Sequence, residues 1–149
     1  MELRPFGLRA ADVIPYAPGP PLPLPLLLTR VPAGFASPAD DHVDCTLDLN
    51  DLVVKHPAAT FFVRVEGDSM TGANITDGDI LVVDRAVEPC DGKIVVAVLD
   101  GELAVKRIRI RDGRVCLVSE NDLYPPIPVE GEQELVIWGV VTHVVHACK

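Results

Sequence analysis

The 149-residue sequence is poor in basic residues and has no long hydrophobic run. Thirteen Lys and Arg residues stand against 22 Asp and Glu residues, which gives a formal net charge of −9 at pH 7. Strong binding to a phosphate backbone comes mainly from clustered Lys and Arg, so we expect no strong nucleic-acid binding by this chain alone. No segment approaches the ~18 apolar residues of a membrane span. Pro21, Pro23 and Pro25 also break the apolar segment 22–28 as a signal-peptide helix, so we expect a cytoplasmic protein without a membrane anchor.

Cysteine is scarce and widely spaced. The four cysteines are Cys45, Cys90, Cys116 and Cys148, and no two of them form a CxxC motif. This spacing does not fit the ligand patterns of structural zinc sites. We therefore expect no metal and no cofactor, and reduced, partly buried thiols in a reducing compartment.

Proline is concentrated in the N-terminal part of the chain. Nine of the 14 prolines lie within the first 38 residues. Such a density prevents long helices and favours an extended, polyproline-like arm. Exposed extended backbone is what proteases bind, so this arm is a candidate substrate segment.

From Thr60 onward the pattern changes to short apolar segments separated by turn signals. Asp100–Gly101 predicts a two-residue hairpin and Asp112–Gly113 a second turn. A short helix is predicted near Leu49–Val54, with Asp48 as its N-cap. The predicted strands are Thr60–Val65, Ile80–Asp84, Lys93–Leu99, Glu102–Ile110, Val115–Val118 and Leu135–Val145. The pattern predicts one mostly β domain, with curled antiparallel sheets or a barrel-like sandwich.

The last predicted strand is apolar on both faces, which predicts burial on both sides in a core or a homodimer interface. Simple alternation divides its side chains into two sets. One set is Leu135, Ile137, Val141 and Val145, and the other is Val136, Trp138, Val140 and Val144.

Two features carry candidate chemistry. Gly67-Asp68-Ser69-Met70 follows a predicted strand, and a glycine there allows a tight turn that presents the Ser69 hydroxyl. Lys106 lies within the predicted strand Glu102–Ile110. Because side chains alternate along a strand, it shares an apolar face with Ala104, Ile108 and Ile110, while Arg107, Arg109 and Arg111 point the other way.

A lysine on an apolar face can serve as a general base. A free lysine has a pKa near 10.4, and about one in 10³ is uncharged at neutral pH. Burial disfavours the ammonium form, and the neutral amine can then take a proton from a serine hydroxyl. The residues alone leave another interpretation open, in which Lys106 guards an edge strand and Ser69 is an ordinary turn residue.

An ordered set of motifs resembles the LexA-type (LexA/UmuD) family of self-cleaving Ser–Lys peptidases, and within it the branch of mutagenesis proteins. The similarity runs from about Gly34 to the C-terminus, and 37 residues separate Ser69 from Lys106 (106 − 69 = 37). The motifs are Phe35-Ala36-Ser37-Pro38-Ala39, Asp48-Leu49-Asn50, His56-Pro57-Ala58-Ala59-Thr60, Gly67-Asp68-Ser69-Met70, Asp77-Gly78-Asp79, Leu81-Val82-Val83-Asp84, Asp100-Gly101-Glu102, Val105-Lys106-Arg107 and Gly139-Val140-Val141-Thr142-His143-Val144-Val145.

The resemblance implies the LexA-type peptidase fold and a role for each candidate residue. Ser69 matches the nucleophile, Lys106 matches the general base, and Ala33–Gly34 matches the bond that is cut. Residues 1–33 would then be a removable arm and residues 34–149 the peptidase domain. General acyl-transfer chemistry further suggests that backbone N–H groups of the Ser69 loop hold the oxyanion, with those of Ser69 and Met70 as candidates.

The resemblance also implies partners. RecA filaments on single-stranded DNA would stimulate self-cleavage in the SOS response to DNA damage. The shortened form would associate as a homodimer and join an UmuC-type subunit as the accessory part of a translesion DNA polymerase.

The sequence leaves two other functions open. A binding subunit with an idle active site would resist cleavage at alkaline pH, whereas intact Ser69 and Lys106 favour an active enzyme. A LexA-like repressor needs a DNA-binding domain, for which the proline-broken N-terminus leaves no room, and the acidic charge disfavours operator binding. A membrane-bound processing peptidase would need an anchor that the sequence does not show.

Overall fold

A computed structural model describes residues 19–27, 33–34 and 43–148 of the chain. Two compact units are distinguished, one formed by Pro18–Lys55 and the other containing His56–Lys149. Within the described ranges, no helix has the length and apolar character needed to cross a membrane.

The smaller unit is a two-stranded sheet followed by one short helix. Strand β1 (Leu24–Leu27) pairs antiparallel with β2 (Val43–Leu47), and helix α1 spans Leu49–Val53. The predicted cap is confirmed, since the Asp48 carboxylate accepts the Asn50 N–H at 2.9 Å.

The prediction of a polyproline-like arm is wrong for residues 24–27, which form a strand. Pro25 lies inside β1, opposite Thr46. A proline is tolerated there because both strands of a two-stranded sheet are edges, where a missing N–H can face solvent. Residues 1–18 and 28–32 of the predicted arm lie outside the described residues.

The larger unit contains a seven-stranded antiparallel sheet, which confirms the prediction of a mostly β fold. Along the sheet the strand order is β3-β4-β9-β5-β6-β7-β8, and the sheet is open, with β3 and β8 at its edges. The six predicted strands are present with ends that differ by at most one residue, and the three-residue β8 was not predicted. The strands are β3 (Thr60–Arg64), β4 (Ile80–Asp84), β5 (Ile94–Leu99), β6 (Glu102–Arg111), β7 (Arg114–Val118), β8 (Ile127–Val129) and β9 (Leu135–Val145).

Two hydrophobic clusters use opposite faces of this sheet. Successive side chains of β5 alternate between them: Val96 and Val98 belong to the first cluster, and Val95 and Ala97 to the second. The first cluster also contains Trp138, whose ring meets that of Phe61 edge to face at 6.0 Å.

Strand β9 is central and packs on both faces, but the predicted division of its side chains is wrong at two positions. Val140 belongs to the second cluster and Val141 packs against the first, the reverse of the alternation expected from Trp138. The pairing register shifts twice, since Trp138 is skipped in the β5 pairing and Thr142 in the β4 pairing. Each irregularity inserts one residue and exchanges the faces of those that follow.

Candidate active site

Ser69 lies in a turn that the larger unit fixes at both ends. Gly67 has φ +93°, a conformation that favours glycine, and its N–H donates to the Asp77 carboxylate at 2.9 Å. Immediately after Ser69, the Met70 side chain is 2% exposed and packs in the first cluster with Ile75. These contacts hold the loop in place while Ser69 itself stays half-buried.

Lys106 lies in the middle of β6, and its burial confirms the prediction from the strand pattern. It is 9% exposed and pairs with Val95 of β5. Burial lowers the pKa of Lys106 from its ordinary value, because the ammonium form loses hydration. Among the described residues, no carboxylate lies within ion-pair distance of its amine to restore the charged form.

Two of the three arginines of β6 have their own anionic partners. The Arg107 guanidinium pairs with Glu120 and also donates to the Gly92 carbonyl at 2.7 Å. Arg111 pairs with Asp91 at 2.8 Å. The strand thus carries two arginines that each pair with a carboxylate, and one buried lysine that pairs with none among the described residues.

A cleft of about 390 Å³ joins the Ser69 loop to the strand of Lys106. One wall comes from the end of β3 and the residues after it, and the other from β6. Its lining is Val63, Arg64, Val65, Glu66, Gly67, Ser69, Met70, Val96, Leu103, Ala104 and Val105. The mainly aliphatic lining suits a peptide segment with small or apolar side chains.

A third segment, residues 119–124, contacts both Lys106 and the loop of Ser69. The Lys106 amine donates to the Ser119 hydroxyl at 2.6 Å and lies 5.5 Å from the centre of the Tyr124 ring. The Tyr124 hydroxyl donates to the Asp68 carboxylate at 2.5 Å, and the Asn121 amide donates to the Asp68 carbonyl at 2.9 Å. Asp68 raises the pKa of Tyr124, first by accepting this hydrogen bond and then by its charge.

Sequence reasoning missed Ser119, Asn121 and Tyr124. No local motif marks them, and Tyr124 is 56 residues from its partner Asp68 in the sequence. A single clue was available, since a buried amine requires a hydrogen-bond partner and the strand neighbours of Lys106 supply none.

The predicted site residues are placed as follows. Ser69 and the strand of Lys106 meet at one cleft, although the hydrogen bonds of the described residues include none between the Ser69 hydroxyl and the Lys106 amine. Such bonds are often long before substrate binds. Ala33 and Gly34 lie in an exposed bend of the smaller unit.

An open antiparallel sheet, with a turn serine in a cleft whose other wall is the strand of a buried lysine, defines a candidate peptidase. The chain belongs to the Peptidase S24-like family, whose model matches residues 25–142. The fold expected from the sequence is therefore confirmed at the level of the family.

The curated relatives fall in the same group. The chain is 48% identical to Protein SamA of Salmonella typhimurium over 84% of this chain and 86% of that protein. It is 46% identical to Protein MucA of Escherichia coli over 80% of this chain and 82% of that protein. It is 39% identical to the LexA repressor of Ectopseudomonas mendocina over 93% of this chain and 68% of the repressor. Together with the family match, these relatives support a self-cleaving serine peptidase of the SOS mutagenesis kind.

Proposed function

We propose that Ser69 and Lys106 form a catalytic dyad that cuts the chain between Ala33 and Gly34. The observation that carries the proposal is the buried Lys106, whose pKa is lowered by burial and whose strand lines the same cleft as Ser69. A neutral amine beside a serine hydroxyl is the combination that Ser–Lys peptidases need.

The reaction has two halves. The Lys106 amine takes the Ser69 proton while the Ser69 oxygen attacks the Ala33 carbonyl carbon. The Ala33–Gly34 bond then breaks, and the Lys106 ammonium gives its proton to the departing Gly34 nitrogen. Water next attacks the Ser69 ester and gives one proton to Lys106, which returns it to the Ser69 oxygen as the ester bond breaks.

Backbone N–H groups of the Ser69 loop stabilise the oxyanion in this scheme. In the part of the chain that the structure describes, the Thr71 and Gly72 amides bond to Asp68 and Glu120, while those of Ser69 and Met70 have no protein acceptor. Two amides beside the nucleophile without an acceptor among the described residues support the assignment of Ser69 and Met70 as the oxyanion donors.

The scissile bond suits this role chemically. Ala33 and Gly34 carry the smallest side chains and lie in an exposed bend, where backbone is accessible to a protease. Cleavage would remove residues 1–33 and leave the 116 residues from Gly34 to Lys149.

We further propose that cleavage switches the partners of the chain in the cytoplasm. RecA filaments on single-stranded DNA stimulate the cut, and the shortened form associates as a homodimer with an UmuC-type translesion polymerase subunit. The similarity to Proteins SamA and MucA supports this role. The net charge of −9 fits a subunit that reaches DNA through protein partners.

The test uses the full-length chain with and without activated RecA filament, followed on a gel. The wild-type chain should be shortened, and its cleavage should be faster at alkaline pH, where more of Lys106 is neutral. Ser69→Ala and Lys106→Ala should stay full length, and so should Lys106→Arg, because arginine supplies no neutral base.

Lys93→Ala is the matched control, since Lys93 is an exposed lysine directly before β5. It should be cut like wild type. Cleavage of Lys106→Ala at alkaline pH would show that the base is a different group.

A test in cells distinguishes a protein that is activated by its own cleavage from an enzyme with other targets. Ser69→Ala cells should lose damage-induced mutagenesis, and the pre-shortened chain 34–149 carrying Ser69→Ala should restore it. Failure of that rescue by a folded, dimeric chain would mean that Ser69 has a second role.

A further inference from the structure

The amine of Lys106 is held by a side chain outside its own strand. Ser119 follows β7, is 8% exposed, and its hydroxyl oxygen accepts an N–H of Lys106 at 2.6 Å. On the apolar face of β6 the neighbours of Lys106 are Ala104 and Ile108, which have no polar side-chain atom. The partner of the buried amine is therefore supplied by the segment 119–124.

A neutral amine has two N–H donors and one lone pair, and it rotates freely about its last carbon–nitrogen bond unless something fixes it. Donation of one N–H to Ser119 removes that freedom. We infer that Ser119 is a positioning residue, which orients the Lys106 amine so that its lone pair is available to the Ser69 proton. The inference rests on the dyad proposed above and adds a third side chain to it.

The same segment also holds the loop of the nucleophile. Glu120 directly follows Ser119 in the chain, and its carbonyl accepts the Gly72 N–H at 2.7 Å. Asn121 and Tyr124 both donate to Asp68, the residue before Ser69. Lys106 and the Ser69 loop are thus both hydrogen-bonded to one short segment, which ties their positions to each other.

The hydrogen bond also has an opposite interpretation, in which Ser119 holds Lys106 away from Ser69 in a resting state. The two interpretations predict opposite changes in rate. Removal of the hydroxyl slows cleavage if Ser119 orients the base, and accelerates cleavage if it withholds the base.

The experiment measures the rate of self-cleavage of the full chain against pH, without RecA, for wild type, Ser119→Ala and Ser119→Thr. General-base catalysis is worth about 10²–10⁴-fold, so a misdirected base in Ser119→Ala should lower the alkaline plateau about 10-fold to 100-fold. The apparent pKa of the Ser119→Ala rate profile should also fall, because the Lys106 ammonium loses a hydrogen-bond acceptor. Ser119→Thr keeps the hydroxyl and should recover most of the plateau.

Thr60→Val is the matched control for the loss of a buried hydroxyl. Thr60 is 6% exposed, and its hydroxyl donates to the His56 carbonyl at 2.7 Å at the start of β3. This variant should lose stability while the pH profile of its folded fraction stays that of wild type. A profile that changes as much as in Ser119→Ala would assign the effect to stability and overturn the inference.

A second measurement does not depend on cleavage. In full chains carrying Ser69→Ala and ¹³C-labelled lysine, NMR follows the titration of Lys106, assigned by its loss in Lys106→Ala. Addition of Ser119→Ala should lower the pKa of Lys106, and an unchanged pKa would refute the contact.

The outcomes separate the two proposals. A Ser119→Ala chain with an unaltered or faster plateau, beside an inactive Lys106→Ala chain, overturns the positioning role and leaves the dyad standing. A wild-type chain that is never cut refutes the proposed function and the positioning role with it, and the titration then shows only whether Ser119 binds the amine.

Discussion

The contact between the Ser69 loop and the segment 119–124 leaves no room for a side chain at Gly72. A Cβ atom added there would lie 2.6 Å from the Glu120 carbonyl oxygen and 3.3 Å from its carbon, whereas ordinary contact begins at 3.4 Å. Gly72→Ala must therefore push the two segments apart by several tenths of an ångström. Overpacking of this kind costs about 1–3 kcal/mol of unfolding free energy, and loss of the bond from Gly72 to Glu120 costs about 0.5–1.5 kcal/mol.

The effect of Gly72→Ala on cleavage should exceed its effect on stability. A misplacement of about 1 Å can cost about 10²-fold in rate, because the reacting groups leave their attack geometry. We expect the cleavage rate of Gly72→Ala at alkaline pH to fall by close to that factor while the chain remains folded. Urea unfolding followed by circular dichroism measures its stability. Cleavage at the wild-type rate by folded Gly72→Ala would show that the contact between Gly72 and Glu120 does not position Ser69.

Gly139→Ala provides the matched control. Its Cβ would lie 2.7 Å from a Val83 methyl group and 3.0 Å from the Asp84 carbonyl oxygen, a similar overlap between β9 and β4. This variant should lose comparable stability, and its cleavage should fall only as far as its folded fraction falls. An equal loss of cleavage in both variants would show that general destabilisation is the cause.

Two further predictions concern carboxylates. The pKa of Asp79 is lowered, first by the Thr76 N–H and then by His146, so its stabilisation is complete above the unfolded pKa near 3.8 and disappears as pH falls through the lower folded pKa. Asp79→Asn should therefore lose unfolding free energy at pH 7, with the deficit shrinking in acid; a constant deficit in urea titrations would contradict this. Tyr124 should ionise above its ordinary pKa, and Asp68→Asn should return it toward that value in a tyrosinate absorbance titration. No change on replacement of Asp68 would show that the hydrogen bond does not control Tyr124.

The strands of the larger unit could be predicted because their signals are local. Apolar alternation and the turns at Asp100–Gly101 and Asp112–Gly113 fix β5, β6 and β7, and both aspartates adopt positive φ as such turns require. Strand β8 was missed because it has three residues and contains Pro128. The faces of β9 were wrong because its irregularities depend on pairing with two neighbours at once, which one strand's sequence does not encode.

The residues of the candidate site were also predictable only where their signal is local. Lys106 stood out because a lysine on an apolar face contradicts the pattern of its own strand. Ser119 and Tyr124 gave no such signal, since each is an ordinary residue in a polar segment. Their contacts with Lys106 and Asp68 arise only when the β6–β7 hairpin brings residues 119–124 beside the Ser69 loop.

The most direct test of the central claim is the intact mass of the products formed when the purified full chain is incubated at alkaline pH. One cut is expected, with a product of 116 residues that begins at Gly34, and no product is expected from Ser69→Ala. A product with a different N-terminus, or cleavage of the Ser69→Ala chain at the same bond, would contradict the assignment of Ser69 as the nucleophile that cuts between Ala33 and Gly34.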